Sequence, residues 1–161
     1  MRAFLSPATA LALMLFCFGA AASELRVAIQ GVASSTGTLM VGLYDSDEHF
    51  RAAIAHAGRA GLLNDRSRLV GIAMRAIAGS QTVVFTDLKP GAYAVIAFHD
   101  ENDNGKLDTN LFGVPTEGYA FSNNAEGFLR APSFKEAAVV VDGRDKAITI
   151  MLKYPRGRRQ R

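Results

Sequence analysis

The ten residues HDENDNGKLD, positions 99–108, combine four carboxylates, two amides and one glycine directly after an apolar run. Hard divalent cations need oxygen ligands from several directions, and one short loop supplies them when acids or amides alternate and a glycine allows a sharp turn. The oxygen-bearing positions alternate along this stretch: Asp100, Asn102, Asn104, Lys106 through its backbone carbonyl, and Asp108. With Gly105 at the turn, they match the first nine positions of a calcium loop, D-x-[DN]-x-[DN]-G. The sequence therefore predicts a calcium site.

The loop departs from an EF-hand, because Leu111 stands where a bidentate glutamate is needed and a strand, not a helix, precedes it. It is similar to the shorter D-x-D-x-D-G-x-x-D calcium loops found between strands of cell-surface proteins. Glu117, the nearest later carboxylate, is predicted to bind the ion directly or to hydrogen-bond to one of its ligands. Because only two ligands of the pattern carry charge, we expect a modest dissociation constant of about 0.1 to 1 mM. The alternative is a metal-free turn, since Asp, Asn and Gly also build ordinary tight turns.

A catalytic interpretation is possible from residue types alone. His99, Asp100 and Glu101, with Ser122 downstream, include groups used in acid–base and nucleophilic chemistry. Adjacent residues on a strand point to opposite faces, however, so His99 and Asp100 are poorly placed to form a dyad. The sequence contains no nucleophile elbow, zinc triad or phosphate loop. We therefore expect the protein not to be an enzyme, and a hydrolase is the lowest ranked of the three hypotheses stated below.

The segment 109–133 has no clear periodicity and is rich in Gly, Asn and aromatic residues. Long irregular segments are usually functional or packed as Ω-loops. This one is predicted to fold back over the acidic loop, with Asn123 and Asn124 capping backbone groups at a strand edge. Its aromatic residues either form a platform for a sugar or peptide or pack as a satellite core: Tyr119, Phe121 and Phe128. The candidate ligand-binding residues are Tyr119, Phe121, Asn123 and Asn124.

Alternation with a period of two predicts strands over most of the chain. These runs lie at 25–29, 39–43, 70–74, 83–85, 92–98, 137–141 and 148–152. The first two are predicted to pair as a hairpin, as are the third and fourth. The run 92–98 is apolar on both faces and should be a central strand. About seven strands predict an all-β fold, an antiparallel immunoglobulin-like or prealbumin-like β-sandwich.

One short helix is predicted within 45–60. Asp45 and Glu48 have the spacing of a capping box, and Phe50, Ile54 and Ala57 share one helical face.

The amino terminus has the layout of a secretory signal peptide, residues 1–22, with one early charge and an apolar stretch before Ala20-Ala21-Ala22. Cleavage would remove Cys17, the only cysteine, and would exclude disulfides, thiolate zinc sites and cysteine nucleophiles. The sandwich is expected to occupy 23–154, in the periplasm or outside the cell. The apolar stretch 8–22 is shorter than the roughly 20 residues of a membrane span, so we expect it to be cleaved and not retained as an anchor, with no transmembrane segment after cleavage.

Charge is unevenly distributed. Five positive charges lie in the last nine residues, KYPRGRRQR, whereas acids outnumber bases in the preceding domain. Residues 155–161 are expected to be a basic, disordered tail with at most weak contact to an anionic surface. Nucleic acid is not an expected partner, because no basic stripe with interleaved aromatics precedes the tail. An envelope protein, a glycan or a peptide is expected instead.

The stretch 88–134, LKPGAYAVIAFHDENDNGKLDTNLFGVPTEGYAFSNNAEGFLRAPSF, resembles a family of exported bacterial proteins known as domain of unknown function 2141. The resemblance lies in a strand entering HDxNxNGxLD, then GxPxEGYxFSNN, then PSF. Ala120 departs from it, since glycine is expected there. The resemblance implies an exported β-sandwich and supplies no activity. LKPGAY is also distantly similar to prealbumin-like and collagen-adhesin B-type modules, which are mostly structural or binding domains.

Three hypotheses follow. The first is a non-catalytic calcium-binding module, structural or adhesive, whose loop 100–108 orders residues 109–134. The second is a sugar- or peptide-binding module with a metal-free acidic turn. The third is the periplasmic hydrolase.

Overall fold

The computed structural model describes residues 22–58, 68–127 and 130–155. It contains eight strands and two helices. The elements, in chain order, are β1 Ser23–Val32, β2 Thr38–Tyr44, α1 Asp47–His56, β3 Val70–Arg75, β4 Gly79–Leu88, β5 Gly91–Asp100, β6 Gly118–Phe121, a 3-10 turn Ser122–Asn124, α2 Phe134–Ala137, β7 Val139–Val141 and β8 Lys146–Met151.

The strands form two sheets. A three-stranded sheet has the order β4-β1-β8, and a larger sheet has the order β3-β2-β5-β6, with β7 pairing to the start of β5. All pairs are antiparallel except β1 with β8, which is parallel. The predicted all-β sandwich is therefore confirmed, with one parallel pair that the sequence did not indicate.

Strand β5 lies at the centre of three packed layers. Tyr93, Val95 and Ala97 enter the core between the two sheets. The alternate residues Ile96 and Phe98 face a second core, where α1 and α2 cover the larger sheet. Because successive side chains of a strand point to opposite faces, only a strand buried on both sides accepts this composition. The predicted central strand is confirmed.

The predicted hairpins are wrong. β1 pairs with β4 and β8, whereas β2 pairs with β3 and β5 in the other sheet. β3 and β4 are likewise in different sheets. Alternation shows which residues of a strand face the core, but both sheets of a sandwich face the same core. The short connections 33–37 and 76–78 therefore cross from one sheet to the other, where the pattern suggested a turn within one sheet.

Helix α1 begins one residue later than predicted. Ser46 is the N-cap, with extended backbone angles and a side chain that accepts a hydrogen bond from the backbone N–H of His49. The predicted cap, Asp45, instead places its carboxylate 3.4 Å from the His49 ring. Serine and aspartate are equally good caps, so adjacent candidates cannot be separated by residue type. Phe50 of the predicted apolar face is fully buried in the second core.

Two predictions fall on residues outside the described ranges. The predicted signal peptide is 1–22, of which only Ala22 is described, and the predicted basic tail is 155–161, of which only Pro155 is described. No helix within the described ranges is long and apolar enough to cross a membrane.

Candidate metal-binding loop and adjoining cleft

The acidic loop, defined here as residues 100–108, begins with a buried carboxylate at the end of β5. The Asp100 Oδ1 accepts the backbone N–H of Asn104 at 3.1 Å, and Oδ2 accepts the N–H of Gly105 at 2.7 Å. Gly105 has φ of 76°, a conformation that favours glycine. The sharp turn predicted at Gly105 is therefore present, and it wraps the chain around the Asp100 carboxylate.

Glu117 closes the loop at its base. Its side chain is 3% exposed, and its two oxygens accept the backbone N–H groups of Glu101 at 2.9 Å and Asp108 at 3.0 Å. Burial raises the pKa of the Glu117 carboxyl above its usual value, the two backbone hydrogen bonds lower it, and the charges of Asp108 and Asp100 raise it again. Sequence reasoning placed Glu117 near the loop through an ion. The structure shows that it holds both ends of the loop directly.

The remaining oxygen-bearing side chains meet at Asp108. Its two carboxylate oxygens accept the amide N–H groups of Asn102 at 2.7 Å and Asn104 at 3.0 Å. The amide oxygens of these two asparagines accept the backbone N–H groups of Asn104 and Lys106. One connected hydrogen-bond network thus contains the side chains of Asp100, Asn102, Asn104, Asp108 and Glu117. Lys106 joins it through its backbone N–H.

The sandwich fixes the position of this network. Asp103 accepts a 2.7 Å hydrogen bond from the hydroxyl of Thr38, at the start of β2. Gly37 lies so close to β5 that an added Cβ would be 2.0 Å from the carbonyl oxygen of Asp100. On the other side, the Leu107 N–H donates to the Ala57 carbonyl just after α1. The loop is therefore held by the second strand, the central strand and the first helix.

The network contains many oxygen atoms, but its carboxylates do not form a compact cluster by themselves. Within residues 22–58, 68–127 and 130–155, no three His, Cys, Asp or Glu side chains form a group that could hold a metal ion. A cation here would also need amide and carbonyl oxygens, which calcium accepts.

The residues of the catalytic hypothesis have structural partners. The buried His99 places Nε2 2.7 Å from the Thr36 carbonyl oxygen and Nδ1 2.7 Å from the Tyr154 hydroxyl. A carbonyl only accepts, so Nε2 carries the hydrogen in the neutral ring and Nδ1 accepts from Tyr154. The same hydroxyl accepts the N–H of Ala33 at 3.0 Å. These three hydrogen bonds join the link 33–36, the end of β5 at His99 and the carboxyl-terminal Tyr154.

Ser122 is likewise engaged inside the core. Its hydroxyl donates to the Ala137 carbonyl at 2.5 Å and accepts the Val95 N–H at 2.8 Å. It therefore ties α2 to the central strand.

Beside the acidic loop lies a cleft of about 570 Å³, a size typical of small-ligand sites. Tyr119, Phe121 and Asn124 contribute to its mostly apolar lining, whereas Asn123 does not. Tyr119 and Phe121 meet edge to face, with ring centroids 6.0 Å apart; Phe121 is buried in the second core, and the partly buried Tyr119 packs against that core. Phe128, the third predicted platform residue, lies outside the described ranges.

The amides of Asn123 and Asn124 are used in capping, as the sequence predicted. Asn124 donates to the Thr149 carbonyl and accepts the Met151 N–H, so it occupies the free edge of β8. Asn123 donates to the Ala138 carbonyl, before β7. Both have positive φ, near 50° to 60°, which asparagine tolerates better than most residues.

Sequence reasoning missed an exposed apolar turn, here called the apolar tip, at residues 110–114. The Asn110 side chain accepts the N–H groups of Phe112 and Val114, and the Gly113 N–H donates to the Asn110 carbonyl. This hydrogen-bonded turn leaves Leu111 fully exposed and Phe112 90% exposed. The available signal was two large apolar residues between an asparagine and a glycine, both typical of turns.

These features define a two-sheet β-sandwich protein with an Asp/Asn loop and an adjoining cleft at one end. The chain belongs to a family described as uncharacterised proteins conserved in bacteria, DUF2141, whose model matches residues 27–149. No curated protein matches the chain. No solved structure matches it either. The predicted family resemblance is confirmed.

Proposed function

We propose that this protein is an exported, non-catalytic binding module of the bacterial cell envelope whose acidic loop binds calcium. The observation that carries the proposal is the single network formed by the two carboxylates and two amides of the calcium-loop pattern, around a turn at Gly105. A loop already folded in this way loses little conformational freedom when an ion binds.

The hydrogen bonds of the network leave capacity for a cation. A carboxylate offers about four lone-pair sites and an amide oxygen two. The Asp100 carboxylate accepts two backbone N–H groups, and each asparagine oxygen accepts one. Unused lone pairs therefore remain on the oxygens that the calcium-loop pattern assigns as ligands.

Electrostatics favours a cation in the same place. Residues 100–117 contain five carboxylates, Asp100, Glu101, Asp103, Asp108 and Glu117, and one ammonium group, Lys106. Like charges held this close repel one another and destabilise the fold unless a cation compensates them. Two of these charges, on Asp100 and Asp108, contribute to the raised pKa of Glu117.

The test is the thermal midpoint of the chain 23–161, which contains every described strand and helix, in EDTA and in calcium. At about 10 mM free calcium, a site with a dissociation constant of about 0.1 to 1 mM adds about 1.4 to 2.7 kcal/mol to the free energy of unfolding. For a domain of this size the midpoint should rise by about 4 to 10 °C.

Asp108→Ala should lose the calcium-dependent rise, because it removes one of the two charged ligands. Asp142→Ala is the matched control: it removes an exposed carboxylate that pairs with Arg144 between β7 and β8. Its calcium response should equal that of the wild type. An equal rise in wild type and Asp108→Ala, or no rise in the wild type, would contradict the proposal.

A second candidate is the peptide- or sugar-binding module with a metal-free turn. It is favoured by the cleft, whose lining includes Tyr119 and Phe121, and the largely apolar lining suits a peptide better than a sugar. Saturation-transfer NMR with a tripeptide mixture and a neutral disaccharide mixture, in EDTA, tests it. Signals lost in Tyr119→Ser support this candidate. No transfer from either mixture would contradict it.

A further inference from the structure

A second pocket, here called the polar pocket, lies where β2 and β3 meet the acidic loop. Its volume of about 440 Å³ falls within the roughly 300 to 1,000 Å³ of small-ligand sites. It shares no lining residue with the cleft beside the acidic loop. Its lining contains no large apolar side chain and no aromatic ring: Ser35, Thr36, Gly37, Thr38, Arg75 and Asp103.

Hydrogen bonds fix the backbone around the polar pocket. The Thr36 carbonyl accepts the Nε2 hydrogen of the buried His99 at 2.7 Å. The next carbonyl, of Gly37, accepts the N–H of Ala76 at 3.0 Å. The two links that border the pocket, 33–37 and 76–78, are therefore held in place before any ligand arrives. A pocket formed in advance loses little conformational freedom on binding.

The side chains of the polar pocket keep unused hydrogen-bonding groups. The Arg75 guanidinium has five N–H donors and forms no ion pair or hydrogen bond with any described residue. Within the described ranges the Thr36 hydroxyl makes no hydrogen bond, and the Ser35 hydroxyl accepts a backbone N–H without donating its own hydrogen. The Asp103 carboxylate accepts one hydrogen bond, from Thr38. Unused donors and an unused acceptor therefore meet in one pocket.

The charges of the polar pocket balance, because it contains one cation, Arg75, and one carboxylate, Asp103. Thr38 lies between them: it is the cross-strand neighbour of Arg75 and donates to Asp103. A ligand in this pocket must accept hydrogen bonds from one group and donate to the other without net charge. A hydroxyl group does both. Guanidinium and carboxylate groups each present two atoms in one plane, which suits two hydroxyls on neighbouring carbons.

We propose that the polar pocket binds a neutral saccharide, whose hydroxyls accept from Arg75 and donate to Asp103. The hydroxyls of Ser35 and Thr36 donate to further oxygens of the same ligand. An acidic saccharide fits less well, because the pocket adjoins the carboxylates of the acidic loop.

A saccharide is also favoured over a free amino acid. An amino acid holds its ammonium and carboxylate on one carbon, whereas Thr38 separates Arg75 from Asp103. Several hydroxyls on one ring span this row of side chains. The site is separate from the proposed calcium site and needs no ion.

The experiment is a nitrogen-15 NMR titration of the chain 23–161 in EDTA with four neutral disaccharides: maltose, lactose, mannobiose and chitobiose. Each is added to about 50 mM, because a few exposed hydrogen bonds give dissociation constants in the millimolar range. At least one disaccharide should shift the amide signals of residues 35–38 and the Nε signal of Arg75. The amide of Tyr119, in the cleft, should not shift.

Arg75→Met should weaken this binding at least about tenfold, because it removes the charged donor and keeps the length of the side chain. Thr36→Val removes one hydroxyl at nearly constant shape and should weaken binding by a smaller factor. Arg51→Met is the matched control: Arg51 is an exposed arginine of α1 that pairs with Asp47. It should titrate as the wild type does.

Four outcomes would overturn the inference. The first is that no disaccharide shifts residues 35–38. The second is equal binding by wild type and Arg75→Met. The third is a shift confined to Tyr119 and its neighbours, which would make the cleft the saccharide site. The fourth is a larger shift of residues 35–38 with glycine than with every disaccharide, which would identify an amino acid as the ligand.

The calcium proposal is tested independently in the same variant. Arg75→Met should keep the calcium-dependent rise in the thermal midpoint. If calcium raises the midpoint while no saccharide binds, the saccharide inference is wrong and the calcium site stands. If a saccharide binds through Arg75 while calcium has no thermal effect, the pocket stands and the proposed calcium site fails.

Discussion

Tyr154→Phe should destabilise the sandwich strongly, although it removes a single oxygen. The Tyr154 hydroxyl donates to Nδ1 of His99 and accepts the N–H of Ala33. His99 is fully buried, and its other nitrogen is committed to the Thr36 carbonyl. The ring therefore cannot turn to find another partner without breaking a second bond. The substitution leaves one buried acceptor and one backbone donor unsatisfied.

The magnitude follows from those two groups. Each unsatisfied buried group costs about 1 to 3 kcal/mol, so the loss of two partners should lower the free energy of unfolding by about 2 to 6 kcal/mol. With an unfolding entropy of about 2.1 cal/mol/K per residue, a domain of this size loses about 3 to 4 °C per kcal/mol. The thermal midpoint should therefore fall by about 6 to 24 °C.

Calorimetry and urea unfolding measure this effect, and Tyr93→Phe is the matched control. The Tyr93 hydroxyl makes one hydrogen bond, to the Lys89 carbonyl, so its loss should cost about 0.5 to 1.5 kcal/mol. The reasoning is refuted if Tyr154→Phe costs no more than Tyr93→Phe. Nitrogen-15 NMR gives an independent check: neutral His99 should carry its hydrogen on Nε2, and an Nδ1–H tautomer would contradict the assigned network.

Three further predictions concern the region around the acidic loop. Burial raises the pKa of Glu117, so the folded state binds the Glu117 proton more tightly than the unfolded state does. This proton binding stabilises the folded state at low pH, and the stabilisation is lost as the pH rises above the usual pKa of 4.5. Urea titrations at several pH values should show this dependence in the wild type and not in Glu117→Gln. Ser122→Ala, which removes two buried hydrogen bonds, should lower the free energy of unfolding by about 2 to 4 kcal/mol in urea titrations, and a loss below 0.5 kcal/mol would contradict the assigned contacts. Asn124→Ala should raise the hydrogen-exchange rate of the Met151 amide, because it uncaps the free edge of β8; unchanged exchange would show that the cap is dispensable.

The sequence was sufficient for seven of the eight described strands, but not for β6, which lies in the segment predicted to be irregular, and not for the pairing of the strands. Residues 25–29 alternate clearly, and Leu25, Val27 and Ile29 are all fully buried. The same alternation fits pairing with β2, which was predicted, and with β4, which occurs. The choice depends on how the link after Val32 turns, and its sequence, ASSTG, is compatible with a turn within one sheet and with a crossing to the other.

The candidate site was partly predictable for a similar reason. The calcium-loop pattern is local, so the turn at Gly105 followed from nearby residues. Glu117 was expected near the loop, but its two backbone hydrogen bonds depend on how β6 returns beside β5. The pair of His99 and Tyr154 spans 55 residues and has no local signature. Contacts of this kind come from tertiary packing.

The parallel pair of β1 and β8 affects the order in which the protein folds. The first strand of the sandwich runs beside the last, and the backbone N–H of Glu24 donates to Asp145, 121 residues further along the chain. Closing so long a loop is entropically costly, and folds with such distant pairings form slowly. Until β8 arrives, one edge of β1 stays open to other chains. A chain synthesised from its amino terminus therefore exposes an aggregation-prone edge until nearly the whole polypeptide has been made, so chaperones that hold unfolded chains should bind it before its carboxyl terminus is released.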